Sequence, residues 1–177
     1  MLSKSLLLTG ALLTVEKEGA VYKQLLNIRE TLDLAMDSIR ESVHGLHEDS
    51  VDLKHTLEEL LQPMKKDYCT ALDYYMAGTV PGQVKYCFIA VTKEAMSNIM
   101  KHSNGNQVQI RCRDHPGFYQ LFIEDNGTVM QAINGRGLGI QNMRDRVGAL
   151  GGTFHIHTDM GFGIFISTPK TEGNLCG

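Results

Sequence analysis

Apolar and polar residues follow two different periods along this chain, and the change of period divides it. From Gly19 to Leu46, apolar residues recur at Leu25, Ile28, Leu32, Ala35, Ile39, Val43 and Leu46. Steps of three and four predict a long helix of about seven or eight turns with one apolar seam. Its flanks, "NIRETLDLAMDSIRES", are charged and mixed in sign, as on the outside of a bundle. The preceding "MLSKSLLLTGALL" mimics a secretory leader, but it has no small-residue cleavage site and runs into the charged "VEKEG". It is also shorter than the ~20 residues that span a bilayer, so it predicts a piece of helix. Residues 1–48 then form a helical hairpin. A lone hairpin leaves its seam wet, and a homodimer completing a four-helix bundle is the expected assembly; a long helix packed on its own domain is the alternative.

A boundary falls near "HGLHEDSVD", where Gly45 weakens the helix and Asp49 or Ser50 can cap a new one running to about Pro63. Beyond it the pattern shortens. "YCTALDYYM" is aromatic and predicts a strand, "TVPGQ" a turn, and a helix begins around Val84. The alternating runs "NQVQIRCR" and "FYQLFIED" flank "DHPG" as a hairpin. A glycine-rich loop leads into the helix "IQNMRDRVGAL", and the strands "GTFHIHT" and "GIFIST" flank the turn "DMGF". The fold class expected is α+β, with the helical hairpin of residues 1–48 followed over 49–177 by an α/β sandwich whose mixed sheet is covered by helices on one face.

Composition narrows the function classes. Lys and Arg number 17 against 20 Asp and Glu, and a net charge of −3 gives no electrostatic footprint for a phosphate backbone, so nucleic acid is not an expected partner. Cys69, Cys87, Cys112 and Cys176 stand far apart, without C-x-x-C or zinc spacing. They read as reduced thiols of a cytosolic chain. His155 and His157 alternate along one strand without a third ligand, which favours a structural role.

Candidate chemistry begins at "EAMSNIMKH". At 100° per residue, Glu94, Asn98 and Lys101 stack on a helix with His102 beside them, opposite an apolar arc of Phe88, Ile89, Ala95, Met96, Ile99 and Met100. A solvated face is the ordinary meaning of such a stripe. In "FYQLFIEDNG", strand alternation places Asp125 on the parity of Tyr119, Leu121 and Ile123. A carboxylate there is costly unless hydrogen-bonded, and it is placed to accept from an exocyclic amine such as that of adenine; "DNG" is equally a common turn tripeptide. In "GRGLGIQNM", Gly135, Gly137 and Gly139 let the backbone approach a ligand, and the helix that follows offers unpaired N–H groups to an anion. The spacing fits neither a Walker A loop nor the dinucleotide fingerprint.

In this order the three motifs resemble the N, G1 and G2 boxes of the ATPase superfamily of gyrases, heat-shock chaperones, mismatch-repair ATPases and histidine kinases. "KEAMSNIMKHS", a short lid and "GRGLGIQNMRDRVGALGG" look like the nitrate-sensor and membrane-fluidity-sensor subgroup of bacterial sensor histidine kinases. "IRESVHGLHEDSVDL" resembles that subgroup's second dimerisation helix and its junction with the ATPase domain. The resemblance implies ATP and Mg²⁺ as ligands. By position, Asn98 would be the Mg²⁺ ligand, and Glu94 would orient the metal shell or act as base. Lys101 and His102 would face the phosphates, Asp125 would bind the adenine amine, and Gly127 would leave room for the base. Gly135, Gly137, Leu138 and Gly139 would line the triphosphate. The implied partners are a second copy of the chain and the receiver domain of a response regulator.

The chain also departs from that pattern. Gly127 is followed by "TVM", without the second glycine of D-x-G-x-G, and Gly161 is followed by Phe162 where the family has threonine. No E-L-H-D phosphoacceptor motif occurs, and His44 and His47 sit at ordinary junction positions. The expectation is a cytoplasmic fragment of a longer, membrane-anchored protein whose acceptor histidine lies upstream of residue 1. A kinase acting in trans on a partner, as anti-sigma factors do, and a module that has lost ATP binding are the alternatives.

Overall fold

The computed structural model describes residues 2–15, 19, 21–22, 24–25, 28, 32, 51–128, 138–158 and 161–170. The chain divides into two compact units, Met1–Glu48 and Asp49–Gly177. In the first, α1 (Leu2–Val15) is a helix in which the buried Thr9 hydroxyl donates to the Ser5 carbonyl at 2.7 Å. Gly19 sits at φ +107°, and Val21, Tyr22 and Gln24 are helical. Leu7, Leu8 and Leu12 of α1 are open to solvent, and Leu7 is 77% exposed. Leu25, Ile28 and Leu32 of the apolar seam are helical; Ala35, Ile39, Val43 and Leu46 lie outside the described residues. No helix among the described residues is long and apolar enough to cross a membrane.

The second unit opens with α2 (Leu53–Leu61), capped by Asp52 rather than by Asp49 or Ser50. The Asp52 carboxylate accepts the His55 N–H at 3.0 Å, the bond that satisfies an orphan donor of the first turn. Leu53, Leu57 and Leu61 form its buried stripe. A 3₁₀ turn over Gln62–Lys66, seeded by Pro63, ends it and leads into β1 (Cys69–Tyr75). The long helix α3 (Gly82–His102) starts two residues before Val84, because Pro81 takes the capping position, where a missing N–H costs nothing. Phe88, Ala95, Met96 and Ile99 are buried as expected and Ile89 is half-buried, whereas Met100 is 53% exposed. It lies 100° round the helix from Ile99, past the edge of the buried arc.

Strands β2 (Gln107–Asp114), β3 (Phe118–Asp125), β4 (Thr153–His157) and β5 (Gly163–Pro169) complete a five-stranded sheet of order β1-β2-β3-β5-β4. β1 runs parallel to β2 and the other pairs are antiparallel, so the sheet is mixed. Its register draws straight apolar rows across the strands. One row is Leu72, Ile110, Ile123, Ile164 and Ile156; the next is Tyr74, Cys112, Leu121, Ile166 and Phe154. Helices α2, α3 and α4 (Leu138–Ala149) contact β1, β3 and β4 respectively and enclose the core. The other parity is polar and aromatic. The Arg111 guanidinium lies over the Phe122 ring at 5.1 Å and bonds both Gln109 and Glu124, and His157 stacks on Phe122 at 5.2 Å. His155 tilts over Phe165, so both strand histidines are taken up in ring contacts. Among the described residues no cluster of His, Cys, Asp or Glu could hold a metal ion.

Cys87 and Cys112 are buried and Cys69 is exposed. Burial pushes the Cys112 thiol up to about 12, which keeps it protonated and unreactive at ordinary pH. With a thiol reagent at about pH 8 and peptide mapping, Cys69 is expected to react in the native protein, and Cys112 only as fast as the chain unfolds.

Candidate functional site

The polar stripe of α3 divides by depth. Glu94 and Asn98 are half-buried, while Lys101 and His102 in the last turn are exposed. Glu94 reaches across to the first turn of α4. A Cβ added to Gly139 would fall 2.1 Å from Glu94 Oε1, so the acid occupies the space a side chain would need. A carboxylate at a helix N-terminus is favourably placed in the field of the unpaired N–H groups. Leu138 opens α4; Gly135 and Gly137 lie outside the described residues.

The other end of α3 meets the end of β3. Asp125 is 4% exposed, and its Oδ1 accepts the Ser103 hydroxyl at 2.8 Å and the Gly127 N–H at 2.6 Å. Its Oδ2 is buried with no hydrogen-bond partner. A buried acceptor left open is unfavourable for folding, and such atoms gather where a ligand supplies the missing donor. Gly127 is required here. Its Cβ would stand 2.3 Å from Ser103 Oγ and 2.7 Å from Asp125 Oδ1.

Two Asn-Gly loops build this corner by reading each other. Asn126 Oδ1 accepts the N–H groups of Asn106 and Gln107, both at 2.9 Å. Asn104 Oδ1 accepts the Thr128 N–H at 2.8 Å, and Asn104 Nδ2 donates to the Thr128 hydroxyl at 2.8 Å. Ser103 Oγ also accepts the Gly105 N–H at 2.9 Å. From the third side comes the turn before β5. Gly161, at φ +123°, lies so close that a Cβ would be 2.0 Å from the Asp125 carbonyl oxygen. Phe162 enters the core and its carbonyl accepts the Asp125 N–H at 3.0 Å.

The fold thus brings Glu94 to Gly139, and Asp125 to Gly127 with Ser103. Ser103, Asn104 and Gly105 are structural partners outside the three motifs, and Asn126 and Gly161, which the motifs show only as turn residues, pack against them or against Asp125. The repeated Asn-Gly pair, in "SNGN" and "DNGT", was the available signal.

No protein-family model matches the chain. Sensor protein VraS of Staphylococcus epidermidis is 33% identical over 103 residues, 55% of this chain and 30% of VraS. VraS of Staphylococcus aureus is 34% identical over 98 residues, 52% of this chain and 28% of that protein. Over those residues the chain is similar to these sensor proteins. It spans about 30% of the length of the curated relatives it matches. The histidine kinase AdeS of Acinetobacter baumannii superimposes with a TM-score of 0.57 at 19% identity, over 97% of this chain and 94% of AdeS. The ATP binding domain of PrrB from Mycobacterium tuberculosis gives 0.54 at 19% identity, over 69% of this chain and 96% of that structure. At those identities the likeness is one of fold: a mixed five-stranded sheet with helices, as in histidine kinase ATPase domains.

Proposed function

We propose that residues 49–177 are the ATP-binding catalytic domain of a sensor histidine kinase of the nitrate-sensor and membrane-fluidity-sensor subgroup, and residues 1–48 part of its dimerisation hairpin. The observation that carries this reading is Asp125. One oxygen is engaged by two donors and the other is buried and open. An ionised carboxylate only accepts hydrogen bonds, so it welcomes the exocyclic amine of adenine and rejects the carbonyl oxygen of guanine. Gly127, where a Cβ would meet Ser103 Oγ at 2.3 Å, lets the chain turn tightly enough to keep its N–H on Oδ1.

At the other end of the site the first N–H groups of α4, at Leu138 and Gly139, suit phosphate oxygens, and Gly135 and Gly137 are assigned to the same triphosphate by their place in the motif. Lys101 and His102 supply positive charge or donors toward the same phosphates. Asn98 offers an amide oxygen to Mg²⁺. A hard cation that keeps its waters and binds substrate phosphates needs few protein ligands, which fits a site without a cluster of acids and histidines among the described residues. When bound, Mg²⁺ neutralises charge on the phosphates. Glu94, fixed against α4, orients water of the metal shell or takes a proton from the acceptor imidazole.

The γ-phosphoryl group then passes to a histidine outside this chain and onward to a response-regulator receiver domain. His102 belongs to the phosphate side of the site and is not the acceptor. The exposed leucines of α1 support assembly as a homodimer through the hairpin, since an apolar helix face left in water favours a partner. The protein acts on the cytoplasmic side.

Calorimetric titration of the 177-residue chain with a non-hydrolysable ATP analogue should show binding that strengthens when Mg²⁺ is added. Asn98→Ala should remove most of that metal dependence, a loss of about tenfold in affinity. No binding at millimolar nucleotide would defeat the proposal, and so would acid-labile phosphate on the isolated chain for the claim that the acceptor lies elsewhere.

A further inference from the structure

We propose that Ser103, the residue that ends α3, is the positioning residue for adenine recognition: its hydroxyl holds the Asp125 carboxylate so that Oδ2 alone faces the base. The inference rests on the adenine-reading role given to Asp125 and deepens it.

Asp125 would otherwise have two equivalent oxygens and a free rotation about its last torsion, which is broad and two-fold. Ser103 and Gly127 remove that freedom together. Both donate to Oδ1, at 2.8 Å and 2.6 Å, and neither touches Oδ2. The serine is itself fixed. Its single O–H proton goes to Asp125, and its lone pair accepts the Gly105 N–H at 2.9 Å, which leaves the hydroxyl one orientation. Gly105 in turn packs on the Gly127 backbone so closely that a Cβ would be 2.6 Å from the Gly127 nitrogen. A chain of single-orientation bonds therefore runs from the loop after α3 into the carboxylate. α3 also carries Glu94 and Asn98, so one helix aligns the acceptor for the base with the groups assigned to the phosphates. Preorganisation of this kind raises affinity by lowering the ordering cost of binding, and it is directed at the amine only.

The test compares ATP with the triphosphate of purine riboside, which lacks the 6-amino group, both titrated with Mg²⁺ into the full chain. Wild type should prefer ATP. Ser103→Ala should weaken ATP by roughly tenfold, leave purine riboside triphosphate nearly unchanged, and so erase most of the preference. Ser103→Thr, which keeps the hydroxyl, should retain the preference. Asn104→Ala breaks the bond of the same loop to Thr128 without touching Asp125, and it too should retain the preference. If wild type binds the two ligands equally, the adenine-reading role of Asp125 fails. If wild type prefers ATP and Ser103→Ala keeps that preference, the role of Ser103 fails alone. Equal weakening of both ligands by Ser103→Ala, or loss of the preference in Asn104→Ala or Ser103→Thr, would show a loop held together rather than a carboxylate aimed, and would overturn the inference.

Discussion

Asp125→Asn is expected to lower affinity for Mg-ATP by roughly a hundredfold while shifting folding stability by no more than about 1 kcal/mol. The asymmetry follows from the two oxygens. Asparagine keeps an acceptor for Ser103 and Gly127, so the bonds that close the corner survive. In place of Oδ2 it presents an NH₂ group, which opposes the adenine amine donor to donor in a buried place. The folded protein meanwhile loses a buried charge with an unmet acceptor, which offsets the weaker bonds at the other oxygen. Asp125→Ala should likewise abolish adenine recognition, but it strands the Ser103 and Gly127 donors and is the less clean variant. Calorimetry and thermal melting on the same samples decide the matter. Affinity and stability falling together would mark Asp125 as a residue of the fold rather than of the site.

The largest effect on stability should come from Gly161→Ala, a loss of about 3 kcal/mol, read as a fall of roughly 10 °C in the melting temperature. Two penalties coincide there. The backbone sits at φ +123°, a region side chains rarely adopt, and the new Cβ would lie 2.0 Å from the Asp125 carbonyl oxygen. Backbone is in the way, and the strand end must shift to relieve it. Because the displaced group is Asp125, nucleotide binding should weaken beyond what partial unfolding explains. Gly148→Ala is the contrast. Within α4 nothing stands within 4 Å of its added Cβ, and alanine is the better helix former, so that variant should be neutral or stabilised by roughly 0.5–1 kcal/mol.

Local pattern was enough for much of this protein. The alternation of "FYQLFIED" already placed Asp125 on the buried parity with Tyr119, Leu121 and Ile123, where the structure has all four. The three-four spacing of α3 separated Ile99 and Ala95 from the stripe of Glu94 and Asn98. Such patterns are local, because side-chain direction repeats every 2 or 3.6 residues whatever the rest of the chain does. Pattern and structure differ at the ends of elements and at the edge of the buried arc of α3, where Met100 is exposed. Asp52 rather than Asp49 or Ser50 capped α2, and Pro81 started α3 early, because a cap depends on which oxygen or missing N–H meets a particular turn.

What the sequence could not show is which distant groups meet. Nothing near Ser103 announces that its hydroxyl binds a carboxylate on another element, and nothing near Gly139 announces Glu94. Gly161 looked like any turn glycine until the strand end it supports came within reach. These contacts follow from the order β1-β2-β3-β5-β4, which sets the end of β3 beside both the exit of α3 and the entry to β5. The types of residue needed for a buried acceptor were written along the chain; that Asp125 keeps one oxygen occupied and the other open was decided only when three separate segments packed around it, because orientation of a carboxylate is set by its neighbours in space.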